Sequence, residues 1–267
     1  MTGLEWGGEF AGRKVVLTGA CGVIGCWIAE AFAEVGARLC LSDQRGDTLA
    51  ALAEKLSVVS DGGIVHATNL SDSSSIDDLV AKVETTWGAP DIVINNAGVY
   101  PSGFLVDIDA NEWDRIFDTN LRAPFLVSRG FAKLMIAGNV KGNIVNISSG
   151  AARRMRRTVV PYCTSKTALD RLTKGFAIEL AEFGIRVNAV EPGFAPGSTA
   201  SPLTAAHVES TTAGIPMARA SLPDDAPNAI MFLCSSKAAY VTGATLSVDG
   251  GNSIGSLMVY QDKKNPG

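Results

Sequence analysis

Histidine is almost missing from this chain, with His66 and His207 the only two. That scarcity leaves no basis for a His-rich metal centre, and no metal is expected. A Ser-His-Asp hydrolase is not expected either. The five cysteines (Cys21, Cys26, Cys40, Cys163 and Cys234) are odd in number and form no C-x-x-C pair. Neither a disulfide framework nor a zinc site follows, and small core thiols in a reducing compartment are the expectation. No apolar run approaches the 18 residues of a membrane span, and Met1-Thr2-Gly3-Leu4-Glu5-Trp6 lacks the basic start and apolar stretch of a signal peptide. A cytoplasmic protein with no membrane partner is expected. A basic excess is lacking too: the net charge is −4 with a pI near 5.3, which argues against nucleic acid as a partner.

What is present describes an ordered globular chain. Hydrophobic residues make up 46% and charged residues 19%, and the 28 glycines are dispersed, with no linker or repeat to divide the sequence. One domain over 1–267 is expected. Arg13 to Gly19 reads as a buried strand running into a glycine turn, Ile24 to Val35 as a helix ended by Gly36, and Arg38 to Asp43 as a second strand. The alternation continues with a helix from about Asp47 to Leu56, a strand at Gly63–Ala67, a helix over Ser73–Trp87 and a strand at Asp91–Asn95. One long helix is predicted over Asn111–Ile136, then a strand at Asn143–Ser148, a helix over Pro161–Phe183 and a strand at Ile185–Val190. Phe194–Gly214 reads as a long loop of the kind that binds substrate. A helix over Pro223–Cys234, a strand at Ala244–Val248 and a tail over Asn252–Gly267 complete the chain. Near-continuous apolar strands alternating with helices imply an α/β fold: one doubly wound, Rossmann-type parallel sheet of about seven strands, covered by helices on both faces.

Gly19-x-x-Gly22-x-x-Gly25 lies between the first strand and the first helix. There glycines let the backbone approach a pyrophosphate, whose charge the helix N-terminus stabilises; the same glycines also serve as plain turn chemistry. Asp43 ends the second strand 18 positions after Gly25, near the spacing at which a carboxylate meets the adenosine ribose. It would repel a 2′-phosphate, favouring NAD over NADP, although Arg45 two residues on offers a basic group that could accept that phosphate.

Tyr162 and Lys166 stand at i, i+4, so a helix would place both on one face. Ser149 lies 13 positions upstream, closing the preceding strand. A phenol with an ordinary pKa near 10 is a poor base at neutral pH, and a neighbouring ammonium would favour the phenolate. The same spacing also occurs in ordinary amphipathic pairs. Between Ser149 and Tyr162 lie Arg153, Arg154, Arg156 and Arg157, which read either as solvated or interfacial charges or as a source of one partner for an anionic substrate. Tyr100, Phe104, Met155 and Phe194 read as core or as apolar pocket walls.

Together these segments resemble the short-chain dehydrogenase/reductase family over Phe10 to Gly251. The motifs that carry the resemblance are Thr18-Gly19-Ala20-Cys21-Gly22-Val23-Ile24-Gly25, Asn95-Asn96-Ala97-Gly98, Thr119-Asn120-Leu121, Ser149, Tyr162-x-x-x-Lys166, Pro192-Gly193, and Val241-Thr242-Gly243 with Val248-Asp249-Gly250-Gly251. The resemblance implies an oxidoreductase that interconverts a secondary alcohol and a ketone with NAD, NADP being the less favoured cofactor. An NADP-linked carbonyl reductase and a non-catalytic NAD-binding protein are the alternatives.

It further implies a catalytic set of Asn120, Ser149, Tyr162 and Lys166. Tyr162 would be the general acid/base, Ser149 rather than Ser148 would hold the substrate oxygen, Lys166 would also hold the nicotinamide ribose, and Asn120 would anchor a relay water. The implied cofactor contacts are Gly19, Gly22, Val23, Ile24, Gly25, Asp43, Asn69, Leu70, Asn96, Ala97, Gly98, Tyr162, Lys166, Pro192, Gly193 and Ala195. Two departures from the family pattern stand out. The middle glycine of the nucleotide loop has moved to Gly22, with Val23 in its usual place. Gly197 replaces a cofactor-contacting Thr, which leaves Ser198 or Thr199 as substitutes. A homotetramer built on the long helices is the implied assembly.

Overall fold

The computed structural model describes residues 6, 8–198, 202–255 and 257. In chain order it contains β1 (Lys14–Thr18), α1 (Val23–Glu34), β2 (Arg38–Asp43), α2 (Gly46–Lys55), β3 (Ile64–Ala67), α3 (Ser73–Trp87) and β4 (Ile92–Asn95). These are followed by α4 (Ala110–Phe117), a π turn (Asp118–Arg122), α5 (Ala123–Ala137), β5 (Asn143–Ile147), a 3-10 turn (Gly150–Ala152) and α6 (Val160–Leu180). Then come β6 (Arg186–Pro192), α7 (Ala205–Ala213), α8 (Asp225–Cys234) and β7 (Thr245–Val248).

The strands form one seven-stranded sheet in the order β3-β2-β1-β4-β5-β6-β7, every pairing parallel. Alternate residues of each strand enter opposite layers. Val15, Leu17, Leu39, Leu41, Ile92 and Ile94 pack with α1 and α8 residues on one face. Val16, Cys40, Val93, Ile144 and Val187 pack with α3, α5 and α6 residues on the other. Both faces are therefore dry, which is why the strands read as unbroken apolar runs. The chain reverses its winding direction between β1 and β4, so a crevice opens there beyond the carboxyl ends of the strands.

Two predicted boundaries fail. The single helix expected over Asn111–Ile136 is split by the π turn at Asp118–Arg122, where the Ala123 N–H donates to the Asp118 carbonyl. Pro124 has no N–H to close an α-type bond on the Asn120 carbonyl, so the regular ladder cannot run through this point. The loop expected over Phe194–Gly214 contains α7, whose N-terminus is capped by Thr204 Oγ1 accepting from the His207 N–H at 3.2 Å. None of its residues is buried, so it carries no apolar period by which to recognise it.

Candidate active site

β1 ends in a glycine turn whose shape is dictated at two positions. Gly19 has φ of +65° and a Cβ there would lie 2.6 Å from the Ala97 Cα; a Cβ on Gly25 would lie 2.2 Å from the Gly19 carbonyl oxygen. Gly22 is different, since its Cβ would meet only the Gly19 oxygen at 3.5 Å and its φ is −74°. Gly22 opens α1 with no side-chain cap, so the first-turn amides, including those of Val23 and Ile24, lie at an uncapped positive helix end. Asn96 ties this turn to the end of β4, its Nδ2 donating to the carbonyls of Thr18 (3.1 Å) and Gly19 (2.9 Å). Thr18 Oγ1 completes the tie by accepting from the N–H groups of Asn96 and Ala97 at 3.2 and 3.3 Å.

At the end of β2 the Asp43 carboxylate is almost fully engaged. Oδ2 accepts from the Cys21 N–H at 3.0 Å and from Arg45 Nη2 at 3.1 Å, while Oδ1 accepts from the Arg45 N–H at 3.1 Å and from Nε at 3.0 Å. Burial pushes this carboxyl up, but the Arg45 fork and the two backbone amides outweigh it and hold it below the usual carboxylate range. Asn69 and Leu70 stand just past β3. Asn69 is exposed, its Oδ1 accepting from the Ser71 N–H at 3.1 Å. Pro192 ends β6, and a Cβ on the following Gly193 would lie 2.7 Å from Ser221 Oγ and 2.9 Å from the Asp249 Cα. Ala195 lies half-buried in the segment beyond, together with Ser198; Thr199 falls outside the described residues.

The four groups of the expected catalytic set converge on the same end of the sheet. Tyr162 and Lys166 occupy one face of α6, with Lys166 Nζ 5.8 Å from the Tyr162 ring centroid. Lys166 is 4% exposed and its Nζ donates to the Ile147 carbonyl at 2.7 Å. Burial brings its pKa down from 10.5 to about 8, with Asp170, one turn further along the same helix, opposing that shift. Ser149 lies two residues beyond β5 rather than in the strand, and its Oγ accepts from the Ala151 N–H at 3.1 Å. Burial pushes the Tyr162 phenol from 10.0 up to about 12, against the Ser149 hydroxyl bonded to it and the Arg156 cation, which both favour the phenolate. In this conformation, then, the phenol is held neutral, and one of the three Lys166 N–H donors is given to a main-chain carbonyl.

Asn120 is fully buried. Its Oδ1 accepts from the Val99 N–H at 2.8 Å, and its Nδ2 donates to the Val99 carbonyl at 3.0 Å and to Ser165 Oγ at 3.2 Å. The Asn120 side chain therefore grips backbone, leaving its main-chain carbonyl, opposite Pro124, as the group to hold the expected water. A Cβ on Gly98 would stand 3.3 Å from Asn120 Oδ1 and 3.6 Å from Lys166 Nζ, so this glycine gives the β4 end its close approach to the site.

Tyr100, one of the residues read as core or pocket wall, meets Tyr162 edge-on, with ring centroids 4.4 Å apart. Sequence reasoning missed two further supporting groups. Ser165 holds Asn120 and donates to the Tyr162 carbonyl at 2.7 Å. Asp170 continues the i, i+4 stripe of Tyr162 and Lys166, a spacing that could have flagged it. A cavity of about 580 Å3 opens at the opposite end of the strands, lined by Arg13, Lys141, Asn143 and Arg186 among others, and contains none of the expected site residues. Among the described residues no cluster of His, Cys, Asp and Glu could hold a metal ion, and no helix is long and apolar enough to cross a membrane.

A family model described as enoyl-(acyl carrier protein) reductase matches residues 19–253. The chain belongs to the short-chain dehydrogenase/reductase family. It is 33% identical over 243 residues to the 3-oxoacyl-[acyl-carrier-protein] reductase FabG of Rickettsia bellii, covering 91% of this chain and 98% of the relative. Among solved structures, a gluconate 5-dehydrogenase from Burkholderia cenocepacia in complex with NADP and tartrate superposes with a TM-score of 0.85 at 29% identity, covering 93% of this chain and 98% of that one. A 3-ketoacyl-(acyl-carrier-protein) reductase from Brucella melitensis complexed with NADH gives a TM-score of 0.81 at 30% identity, covering 91% and 99%. The protein is thus an oxidoreductase of CH–OH groups that uses a nicotinamide cofactor.

Proposed function

We propose that this family member interconverts a secondary alcohol and a ketone, with NAD as the preferred cofactor and Tyr162 as the general acid/base. The observation that carries the reading is the convergence of half-buried Ser149 and Tyr162 with buried Lys166 at the carboxyl end of the sheet, the end at which the Gly19–Gly25 turn also lies. The residues present fit the dinucleotide: two positions of the turn admit no Cβ, and an uncapped helix N-terminus faces the place where a pyrophosphate would lie. Gly19, Gly22, Val23, Ile24 and Gly25 would hold the phosphates. Asp43 would take the adenosine ribose, Asn69, Leu70, Asn96, Ala97 and Gly98 would line the adenosine side, and Lys166, Pro192, Gly193 and Ala195 would flank the nicotinamide half. When bound, that nicotinamide donates or accepts the hydride.

The chain's own groups manage the proton. Ser149 Oγ donates to the substrate oxygen and stabilises the charge that develops on it. The Tyr162 oxygen takes the alcohol proton in oxidation and returns it in reduction. Lys166 adds positive charge beneath the phenol, and the Asn120 carbonyl, denied an α-type partner by Pro124, holds the water that carries the proton onward. A burial-raised phenol is well matched to donate in the reductive direction; the oxidative direction needs added positive charge to bring it down.

NAD is favoured because the Arg45 guanidinium, two residues past the end of β2, is closed on Asp43 rather than turned toward a 2′-phosphate. The alternative is NADP, favoured by the 34% exposure of the Arg45 side chain, which would let it swing outward. Fluorescence titration of both reduced cofactors separates the two, with Asp43→Ala as control. A screen of secondary alcohols and ketones monitored by NADH absorbance tests the activity itself. A wild type that never outperforms Tyr162→Phe would return the chain to a non-catalytic, NAD-binding role. We further read the protein as a cytoplasmic homotetramer. In support, α5 and α6 bring Phe125 and Phe176 together with ring centroids 6.1 Å apart, and Phe125 is left 39% exposed.

A further inference from the structure

The four arginines between the 3-10 turn and α6 have unequal freedom. Arg153 sends Nε to Glu191 Oε1 at 3.2 Å and Nη2 to Oε2 at 2.9 Å, and Glu191 is wholly buried, with Ser247 Oγ as its other partner. Releasing Arg153 would strand a buried carboxylate, so it is not available to a ligand. Arg154 Nη1 donates to the Asn252 carbonyl at 3.3 Å, and the Arg157 guanidinium lies over the Phe104 ring at 5.1 Å. Arg156 is half-buried and has neither an ion pair nor a hydrogen bond from its side chain among the described residues.

The loop that carries Arg156 is pinned on both sides. The Arg154 N–H donates to the Gly150 carbonyl at 3.1 Å, and the Gly103 N–H donates to the carbonyl of Thr158, itself held at φ of +68°. Val159 is buried directly before α6. The backbone that carries this guanidinium is thus fixed, so a ligand has only the half-buried side chain left to order. It is close enough to the Tyr162 phenol for its charge to act there. Around the same mouth Tyr100 is 50% exposed, Phe104 49% and Met155 61%. An unpaired cation on a fixed loop, set among uncovered apolar side chains beside the acid/base group, matches a ligand with one negative charge and an apolar body.

We propose that Arg156 recognises a carboxylate on the substrate, so that this enzyme acts on a hydroxy acid and its oxo acid, with the apolar part of the molecule resting against Tyr100, Phe104 and Met155. The proposal rests on the assignment of Tyr162 as the acid/base. A single free guanidinium balances a monoanion and offers the planar fork that a carboxylate fills. A phosphate monoester, carrying about 1.5 to 2 negative charges, would call for more donors than this loop provides.

The test compares mandelate and 3-hydroxy-3-phenylpropanoate with their methyl esters, in the wild type, Arg156→Gln and Arg156→Lys, with NAD as cofactor. The wild type is expected to prefer at least one acid over its ester by about tenfold or more in kcat/KM. Arg156→Gln should cut the acid's kcat/KM by about 10- to 100-fold more than the ester's, the excess appearing in KM while the charge lost beside Tyr162 affects both substrates alike, and the excess should be partly rescued in Arg156→Lys. A readout free of turnover is the effect of phenylacetate on the fluorescence of the NADH complex, expected in the wild type and in Tyr162→Phe and lost in Arg156→Gln. Equal use of acids and esters, an equal loss for both in Arg156→Gln, or a phenylacetate response indifferent to Arg156→Gln overturns the proposal. If Tyr162→Phe keeps full activity, the acid/base assignment falls instead, and the phenylacetate titration still decides the role of Arg156.

Discussion

Asn120 holds Val99 by both main-chain groups, accepting from its N–H at 2.8 Å and donating to its carbonyl at 3.0 Å. This pair fastens the π turn to the segment that leaves β4, with Asn120 buried and Val99 half-buried. Asn120→Ala leaves the Val99 donor and acceptor without their partner, at a cost at or below about 1–3 kcal/mol for each, since water reaches part of Val99. Loss of thermal stability and of kcat together is the expected result. A variant that melts like the wild type but has lost kcat would give Asn120 a purely chemical part.

The three glycines of the nucleotide turn should respond very differently to a methyl group. Gly25→Ala drives a Cβ to 2.2 Å from a backbone oxygen, and Gly19→Ala adds a strained φ to a contact of 2.6 Å. Both should lose NADH binding in a fluorescence titration. Gly22→Ala meets only one atom, at 3.5 Å, and should fold and bind. A Gly22→Ala protein that fails to bind would show that the pyrophosphate approaches closest at the moved glycine.

Asp43 couples cofactor choice to acid stability. Its folded pKa lies below the usual carboxylate value, so its contribution is present above the pH at which the unfolded carboxyl titrates and is lost as pH falls through the lower folded value. Asp43→Ala should flatten the acid limb of the stability curve and free Arg45. Affinity for NADPH should then rise while that for NADH falls, by about tenfold in ratio. An unchanged ratio would mean that Arg45, not Asp43, reads the ribose.

The parallel sheet was legible because both of its faces are apolar, so each central strand appears as a short unbroken hydrophobic run. The π turn was not, since the apolar spacing of Asn111–Ile136 passes straight through it and only Asn120 and Pro124 hint at the break. α7 was invisible for the opposite reason: with no buried face it has no period, and Thr204 is its one local signal. In the site, Tyr162 and Lys166 could be found because four residues along a helix is a fixed geometry. Arg153 and Glu191 could not, because they are 38 positions apart and meet only when β6 lies beside β5. The position of Arg156 became meaningful only once its neighbours' partners were known.

Arg153 and Glu191 should behave as a unit. Arg153→Ala leaves a buried carboxylate whose pKa burial already raises, and a broken buried pair costs about 3–5 kcal/mol. The 41% exposure of the Arg153 side chain puts the expectation at or below the lower end of that range. Glu191→Gln in the Arg153→Ala background should recover much of the loss, since a neutral amide can still hydrogen-bond Ser247. Additive losses in the double-mutant cycle, read by denaturant unfolding, would mean the two residues act separately.

Lys166 and Tyr162 should give the free protein opposed pH limbs. Lys166 has a folded pKa of about 8 against an ordinary 10.5, so the unfolded chain binds the extra proton between these values and stability rises with pH across that window. Tyr162 has a folded pKa of about 12 against 10.0, so the folded chain keeps its proton longer and stability falls as pH rises from about 10 to 12. Lys166→Met should remove the Lys166 share of the rising limb and Tyr162→Phe the Tyr162 share of the falling one, to which the Cys21, Cys40 and Cys234 thiols, pushed by burial from 9.0 to about 12, also contribute. Each substitution also lowers kcat, Tyr162→Phe by about 10²–10⁴-fold. Urea unfolding across this pH range reads both limbs. A Lys166→Met protein that keeps the rise would show that the ammonium is hydrated rather than buried. The phenol would then have a fully charged neighbour at neutral pH, and the oxidative direction would need no additional positive charge to produce a phenolate.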